Sequence, residues 1–114
     1  MFLTPAERTA DHVSRGWWDG ACVDSLFQRA ARTGGAAEAI VDPLNREALD
    51  GRAPERLTWL ALQDRVERTC AALIARGLAK DDRICVQLPN TIDAVAIFLA
   101  AARLGLIVSP VVMQ

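Results

Sequence analysis

The sequence contains few of the residues that bind soft metals. It has one histidine, His12, and three cysteines, Cys22, Cys70 and Cys85, which stand far apart and form no Cys-x-x-Cys pair. A zinc site would have to collect nearly all of these ligands from distant positions, so the spacing argues against one. The odd number of cysteines favours idle or buried thiols in a reducing compartment, and we expect a cytoplasmic protein.

An excess of charge of either sign is also missing. Thirteen Lys and Arg oppose fourteen Asp and Glu, which leaves a formal net charge of -1 at pH 7. The basic residues are scattered along the chain and form no cluster of the kind that a phosphate backbone requires. We therefore expect no nucleic-acid partner and no attraction to an acidic membrane surface.

Long apolar runs are absent as well. The uncharged stretch 94–102 is far shorter than the about 20 apolar residues that a membrane-spanning helix requires. The chain already carries Glu7 and Arg8 near its start, and no apolar segment typical of a secretory signal follows them. We expect no transmembrane segment, and we interpret 94–102 as part of a helix that is buried in protein.

Apolar residues make up 52% of the 114 residues, which is enough for the core of a single domain. We expect residues 1–20 to form an irregular N-terminal arm. Its two adjacent tryptophans, Trp17 and Trp18, are predicted to lay aromatic surface on the rest of the protein, which we favour over a role in stacking on a ligand. The remainder, 21–114, is predicted to be one α/β domain.

The first half of that domain is predicted to hold a helix and a short hairpin. Apolar residues at steps of three and four indicate a helix over 23–33, which Asp24 or Ser25 caps and a pair of glycines ends. Two short strands near 38–59 flank a loop over 43–56, whose prolines and charges are typical of a surface. No nucleotide-binding motif surrounds the glycine pair, so we expect no phosphate there.

The second half alternates between helix and strand. An apolar stripe predicts an amphipathic helix between residues 58 and 77, followed by a strand over 83–88, a helix over 91–104 and a strand over 106–109. A strand–helix–strand unit of this length joins parallel strands through a right-handed crossover. The continuous apolar character of the strands indicates cover on both faces. The predicted fold class is α/β, a partial parallel sheet flanked by helices, with a short hairpin near 38–59.

The helix over 91–104 is apolar on all sides and carries only two charged residues, Asp93 and Arg103. We predict an inner stripe of Ile92, Val95, Leu99 and Ala102, and an opposite apolar side of Ala94, Ile97, Phe98 and Ala101. A surface helix would be polar on that opposite side, and the last strand leaves an edge open to pairing. We expect the rest of a longer chain to cover these surfaces, or a homo-oligomer formed through this helix where the chain stands alone.

Several consecutive segments carry recognisable motifs. Residues 57–78 are similar to a T-Y-x-E-L … A-x-x-L-x-x-x-G region, 80–90 to a GD-x-V-x-x-x-L-P-N strand and turn, and 96–110 to an F-x-A-x-x-x-G-A-x-x-x-P segment. In this order and spacing they resemble the adenylate-forming, or AMP-binding, enzymes and among them the acyl-CoA synthetases. Asp81 stands where that family commonly has glycine. Residues 16–31 are similar to the entry region of fatty, alicyclic or aryl acid CoA ligases.

The resemblance implies an N-terminal fragment of an AMP-forming acid–thiol ligase. Such enzymes use ATP and Mg to convert a carboxylic acid to an acyl-AMP, and then pass the acyl group to a thiol, often that of coenzyme A. The family's Ser/Thr/Gly-rich phosphate loop, its aromatic-Gly-x-Thr-Glu motif, its ribose-binding aspartate and its C-terminal lysine have no counterpart here. We therefore expect no catalytic, cofactor-binding or metal-binding residue in this fragment, and no activity from it alone.

Two other interpretations of the sequence compete with this one. A stand-alone α/β module that binds a protein or a ligand is the alternative, and a reading frame that continues past Gln114 into a Ser/Thr/Gly-rich loop would decide against it. A dinucleotide-binding domain is disfavoured because no glycine-rich turn follows Leu88. His12 lies in the predicted arm, where we expect it to be exposed and idle.

Overall fold

The structure is a computed structural model that describes residues 4–112. In chain order its elements are α1 (Ala6–Ser14), α2 (Val23–Gly34), β1 (Glu38–Val41), α3 (Arg46–Asp50), β2 (Arg56–Thr58), α4 (Trp59–Ala75), β3 (Arg83–Val86), α5 (Ile92–Leu104) and β4 (Ile107–Pro110). Helices and strands alternate from α4 onward, which confirms the α/β class. Among residues 4–112, the structure contains no candidate for a membrane-spanning helix.

The strands form two separate sheets of two strands each. β1 and β2 run antiparallel, with Ile40 opposite Leu57. β3 and β4 run parallel, with Arg83 opposite Ile107, and α5 forms the crossover between them. Both the hairpin near 38–59 and the parallel pair are confirmed.

The core lies where α2, α4 and α5 pack against one another. Its buried side chains are Phe27, Leu62, Val66, Cys70, Ile92, Ala96 and Ala100. The Sγ atom of Cys70 lies 3.8 Å from the carbonyl oxygen of Ala100, a distance that small side chains on α5 permit. Burial raises the pKa of the Cys70 thiol, so this cysteine is a neutral core residue, as its place in the apolar stripe predicts.

The ends of α4 follow from its sequence. The Thr58 side chain accepts a hydrogen bond from the backbone N–H of Ala61 at 3.2 Å, which is the expected N-cap. Beyond the C-terminal end, Gly77 takes a φ of 83°, a left-handed conformation in which glycine carries no steric penalty. The predicted helix between residues 58 and 77 is confirmed.

The prediction that residues 1–20 are irregular is wrong for Ala6–Ser14, which form α1, while residues 1–3 lie outside the described part of the chain. Pro5 stands just before the helix, where its missing N–H costs nothing because the first helical N–H groups have no intrahelical acceptor. None of the residues of α1 is buried. Its helicity therefore rests on local propensity, and no buried apolar stripe marked it in the sequence.

The two tryptophans do not lie flat on the body of the protein as predicted. Trp17 is 64% exposed and Trp18 is 43% exposed. Both rings meet the His12 imidazole edge-on, with centroid distances of 5.4 and 4.8 Å, and the Arg15 guanidinium lies 5.0 Å from the Trp17 ring centroid. These contacts with neighbouring residues cover part of the surface of the two indole rings, without a contribution from the core.

Cys22 caps α2, in place of the predicted Asp24 or Ser25. Its Sγ accepts the Ser25 N–H at 3.5 Å, and the Ser25 Oγ accepts the Cys22 N–H at 2.9 Å, which forms a reciprocal capping box. The hydrogen bonds from Ser25 lower the pKa of the Cys22 thiol. The prediction failed because cysteine is an uncommon cap and its neighbours are common ones.

α5 confirms the predicted helix over 91–104, but its packed face differs from the predicted stripe. The buried residues are Ile92, Ala96, Ala100 and Ala101, whereas Ala102 is exposed. The prediction followed the larger side chains, while close packing against α4 selects the face where alanines let the helices approach. Phe98, on the predicted opposite side, is 52% exposed.

Replacing Gly34 with alanine should destabilise the fold. A Cβ at this position would overlap the indole ring of Trp59, which packs on the core beside Phe27. We expect Gly34→Ala to lower the free energy of unfolding by about 1–3 kcal/mol, as overpacking does in other cores. Urea denaturation followed by circular dichroism measures the change.

The matched control is Gly20→Ala, because a Cβ at Gly20 meets no atom within 4 Å and its φ is not left-handed. That variant should unfold at the urea concentration of the parent. Equal midpoints for the Gly34 and Gly20 variants would contradict the packing argument.

Candidate functional site

A fully buried arginine lies within the segment predicted to be a surface loop. Residues 46–50 form α3, and the side chain of Arg46 has no exposed surface. The prediction of a surface loop over 43–56 is therefore wrong at this residue. Because prolines, a glycine and many charges dominate the segment, its composition does not indicate that Arg46 is buried. A buried guanidinium requires paired acceptors, so its surroundings form the natural candidate site.

Asp42 is the first of those acceptors and directly follows β1. Its Oδ1 accepts the backbone N–H of Ile92 at 2.8 Å, while its Oδ2 accepts the N–H of Glu55 at 2.9 Å and the Nη1 of Arg46. The Thr91 side chain makes no capping bond to α5. Asp42 therefore caps α5 from a segment far away in the sequence, and supplies the negative charge that a helix N-terminus favours.

Asp93, in the first turn of α5, is the second acceptor. Its Oδ2 accepts Arg46 Nη2 at 2.6 Å and Arg52 Nη1 at 2.9 Å, and its Oδ1 accepts Arg65 Nη1 at 2.9 Å. Arg65, on α4, also donates its Nη2 to Glu55 at 2.8 Å. One network of ion pairs thus joins α4, α5 and residues 42–55, the connection between β1 and β2 that we call the α3 loop.

We call this network the ionic cluster. It consists of Asp42, Arg46, Asp50, Arg52, Glu55, Arg65 and Asp93. The Nε of Arg46 lies 3.3 Å from Asp50 Oδ2 but makes no hydrogen bond, and it is the one buried side-chain polar atom without a partner among the described residues. The other two nitrogens of the guanidinium each donate to a carboxylate, Nη1 to Asp42 and Nη2 to Asp93.

The surroundings of Asp42 and Arg46 favour the charged forms of both groups. Burial alone would raise the pKa of Asp42, but the N–H groups of Ile92 and Glu55 and the guanidinium of Arg46 outweigh burial and hold the pKa below its ordinary value. The hydrogen bond to Asp42 raises the pKa of Arg46 despite burial. A general acid or base needs a pKa near the working pH, so these shifts suit a structural brace and not proton transfer.

The carboxylates and the glycine pair are the groups that a metal ion or a phosphate would use. Within residues 4–112, no group of three or more His, Cys, Asp or Glu is placed to hold a metal. The acidic residues of the ionic cluster are already paired with guanidinium groups. The glycine pair at 34–35 lies at the C-terminal end of α2, where the helix dipole repels a phosphate.

One groove opens beside the ionic cluster, and a second opens where α5 faces the parallel sheet. The larger, of about 570 Å³, lies between α4 and the start of α5 and is lined by polar groups such as Arg68 and apolar ones such as Leu88. The smaller, of about 230 Å³, lies between α5 and the parallel sheet. Its lining is apolar: Val86, Leu88, Ala94, Ile97, Phe98, Val108, Pro110 and Val111.

No site residue was predicted from the sequence, and the ionic cluster was missed with it. The Arg46–Asp50 spacing of four residues was a usable signal, because both residues lie in α3, where such a pair faces itself across one helical turn. The contribution of Asp93 carried no signal, since it lies 47 residues from Arg46 in the sequence. The absence of catalytic, cofactor and metal residues stays a prediction.

Comparison with known proteins gives the following matches. Residues 26–114 match the family described as AMP-binding enzyme. The salicyl-AMP ligase / salicyl-S-ArCP synthetase of Mycobacterium tuberculosis is 32% identical over 103 residues, which cover 90% of this chain and 17% of that protein. The acetyl-coenzyme A synthetase of Halorhodospira halophila is 45% identical over 51 residues, which cover 45% of this chain and 8% of that protein.

Solved structures show the same relation. The apo structure of MbtA from Mycobacterium smegmatis matches with a TM-score of 0.74 and 29% identity, over 95% of this chain and 19% of that one. VinN matches with a TM-score of 0.71 and 26% identity, over 83% of this chain and 22% of that one. This chain thus spans less than a quarter of each protein named here.

Neutralising Asp42 should be among the most damaging single changes. Asp42→Asn leaves the buried Arg46 without its closest counter-charge, a change that costs about 3–5 kcal/mol in other buried pairs. We expect a lower urea midpoint, or loss of the folded state. The control is Asp64→Asn, which breaks the exposed Asp64–Arg68 pair and should cost only a small fraction of that loss. Similar losses of stability in both variants would contradict the role of Asp42 as a structural brace.

Stability should fall in acid. A carboxyl whose folded pKa is depressed stabilises the fold above its ordinary pKa, and that contribution disappears as the pH falls through the folded value. For Asp42 the ordinary value is 3.8, so its contribution should be lost below that pH. Urea midpoints measured from about pH 6 to about pH 3 test this. In Asp42→Asn, the urea midpoint should decrease less as the pH falls. The same decrease as in the parent would contradict the assignment of this pH dependence to Asp42.

Proposed function

Because this chain belongs to the AMP-binding enzyme family, we propose that it is the N-terminal scaffold segment of an ATP-dependent carboxylic acid–CoA ligase. The observation that supports this is the family match over 26–114, which includes most of the helical core and the whole parallel sheet. The longer enzyme would join a carboxylate to ATP, which gives an acyl-AMP and releases pyrophosphate. The thiol of coenzyme A would then displace AMP and form the thioester.

Within that enzyme we assign this segment a supporting role. Its ionic cluster fixes the N-terminus of α5 against the α3 loop and α4, and so holds the crossover between β3 and β4. The charged groups of the cluster are occupied with one another, which leaves them unsuited to bind ATP, Mg or coenzyme A. Other parts of the longer protein would supply those contacts.

The apolar groove beside Phe98 supports a further part of this proposal. A half-exposed phenylalanine next to apolar strand residues is a surface suited to protein, and not to water. We propose that the rest of the longer chain covers this side of α5. The alternative cover for the 114 residues alone, a second copy in a homo-oligomer through this helix, stays a prediction. The free thiols of Cys22, Cys70 and Cys85 support a reducing, cytoplasmic location.

A stand-alone binding module is the second candidate function. It is favoured by the groove of about 570 Å³, in which Arg52, Arg65 and Arg68 lie beside apolar residues such as Ile97. Such a module would bind its partner there without any need for additional chain. Activity of the segment inside a ligase distinguishes the two candidates.

A chimera tests the proposed function. In the salicyl-AMP ligase of M. tuberculosis, the segment that aligns with this chain is replaced by this chain, and salicylate-dependent exchange of pyrophosphate into ATP is measured. We expect a soluble chimera that keeps exchange activity, because a scaffold can be substituted by a related scaffold. A folded chimera without exchange would count against the proposal.

Two controls belong to this experiment. A chimera that carries Asp42→Asn should lose yield or thermal stability, because the brace of α5 is weakened. The isolated chain, titrated calorimetrically with ATP and Mg²⁺, should show no binding. Micromolar affinity in that titration would show that the segment itself holds a nucleotide site and would contradict the supporting role.

A further inference from the structure

The hydrogen bonds between β3 and β4 determine which edge of β3 is free. The Ile107 N–H donates to the Asp82 carbonyl and the Val111 N–H donates to the Val86 carbonyl, both at 2.8 Å. In a parallel pair, alternate residues of a strand direct both backbone groups to the same neighbour. With this register, the even-numbered residues of β3 face β4.

The odd-numbered residues therefore direct their backbone N–H and C=O groups away from β4. These residues are Arg83, Cys85 and Gln87. All three are exposed, and among the described residues β3 pairs with β4 alone. The outer edge of β3 thus presents three donors and three acceptors in a row, without a proline. Such an edge is a template for another strand.

The outer edge of β4 is different. There the outward residues are Val108 and Pro110, by the same alternation. Proline has no N–H, so this edge offers a single donor over the length of the strand. A strand that extends the sheet would find its full set of hydrogen bonds only on the β3 side.

The pairable edge of β3 has clear limits on both sides. Asp81 takes a φ of 73°, which turns the chain out of the extended conformation, and Pro89 interrupts the donors after Gln87. The usable edge therefore runs over residues 83–87, and its centre is Cys85. An edge centred on one residue is compatible with a two-fold axis through that residue.

We propose that this edge pairs antiparallel with the same edge of a second copy of the chain. Cys85 would then lie opposite the second copy's Cys85, and Arg83 would lie opposite the second copy's Gln87. No like charges face each other in this register, and the net charge of -1 per chain adds little long-range repulsion. The sheet would grow from two strands to four, the size range in which sheets become stable.

This arrangement makes a specific chemical prediction. Directly opposed, hydrogen-bonded residues of antiparallel strands have Cα atoms about 5.5 Å apart, and disulfides bridge Cα separations of about 4.4–6.8 Å. The two Cys85 thiols of such a dimer can therefore be joined. Diamide supplies the oxidation: the two thiols give up two hydrogen atoms as the S–S bond forms, and diamide is reduced to its hydrazine.

The experiment uses the 114-residue chain with Cys22→Ser, which removes the other exposed thiol among the described residues. Treatment with diamide should give a disulfide-linked dimer on a non-reducing gel. The double variant Cys22→Ser/Cys85→Ser should give none. Sedimentation velocity without oxidant, over a series of protein concentrations, should show a concentration-dependent dimer.

A pair of proline variants tests the edge itself. Cys85→Pro removes an outward N–H and leaves the ladder to β4 intact, so the dissociation constant should rise about tenfold or more. Val108→Pro makes the same change on the outer edge of β4 and should leave the dimer unchanged. Phe98→Ser, on the apolar face of α5, should also leave the Cys85 cross-link in place.

Three results would overturn the proposal. If the chain stays monomeric at high concentration, the edge of β3 does not pair with a second copy. Its partner would then be a strand from another polypeptide. A diamide dimer that does not depend on Cys85, or an association lost in Phe98→Ser but kept in Cys85→Pro, would place the contact elsewhere. Should Cys85→Pro fail to fold, the cross-linking comparison decides alone. The test uses only the isolated chain and does not depend on the proposed ligase function.

Discussion

The buried pair of Asp42 and Arg46 is the interaction on which the rest of this structure depends. An isolated guanidinium without solvent would be strongly unfavourable, so its burial requires that the partners arrive from the α3 loop and α5 together. The same Asp42 carboxylate holds the first free N–H of α5 and an N–H of the hairpin loop. The two small sheets share no strand, and the ionic cluster links the loop of one to the crossover helix of the other.

The sequence predicted most of the elements and fewer of their contacts. Periodicity located α2, α4 and α5 because each has apolar residues at helical spacing, and the resemblance to adenylate-forming enzymes was carried by the same second half of the chain. α1 was not predicted, because none of its residues is buried and no buried apolar stripe marks it in the sequence. The packed face of α5 was misjudged because alanine contributes little hydropathy but allows close approach. The inward turn of Arg46 depends on Asp93, a partner that only the folded chain brings near.

The family relation and the chemistry of the candidate site give different information about this chain. Membership of the AMP-binding enzyme family supports the reaction proposed above for a longer protein. The chemistry of the described residues states what this part contributes, and here the charges neutralise one another instead of facing a ligand. In the proposals made above, the task of this segment is to hold two surfaces, the apolar groove at α5 and the edge of β3, at fixed positions where other protein can bind.

The hydrogen bond from Ile92 to Asp42 also bears on the order of folding. It closes a chain separation of 50 residues, whereas β3, α5 and β4 are neighbours in sequence. Closing the longer loop costs more chain entropy. The hydrogen bond stabilises the protein only once the helix N-terminus and the loop are both formed. We therefore expect the parallel unit to assemble first and the brace to close after the rate-limiting step. Asp42 substitutions would then accelerate unfolding and leave the folding rate almost unchanged, which stopped-flow kinetics would reveal.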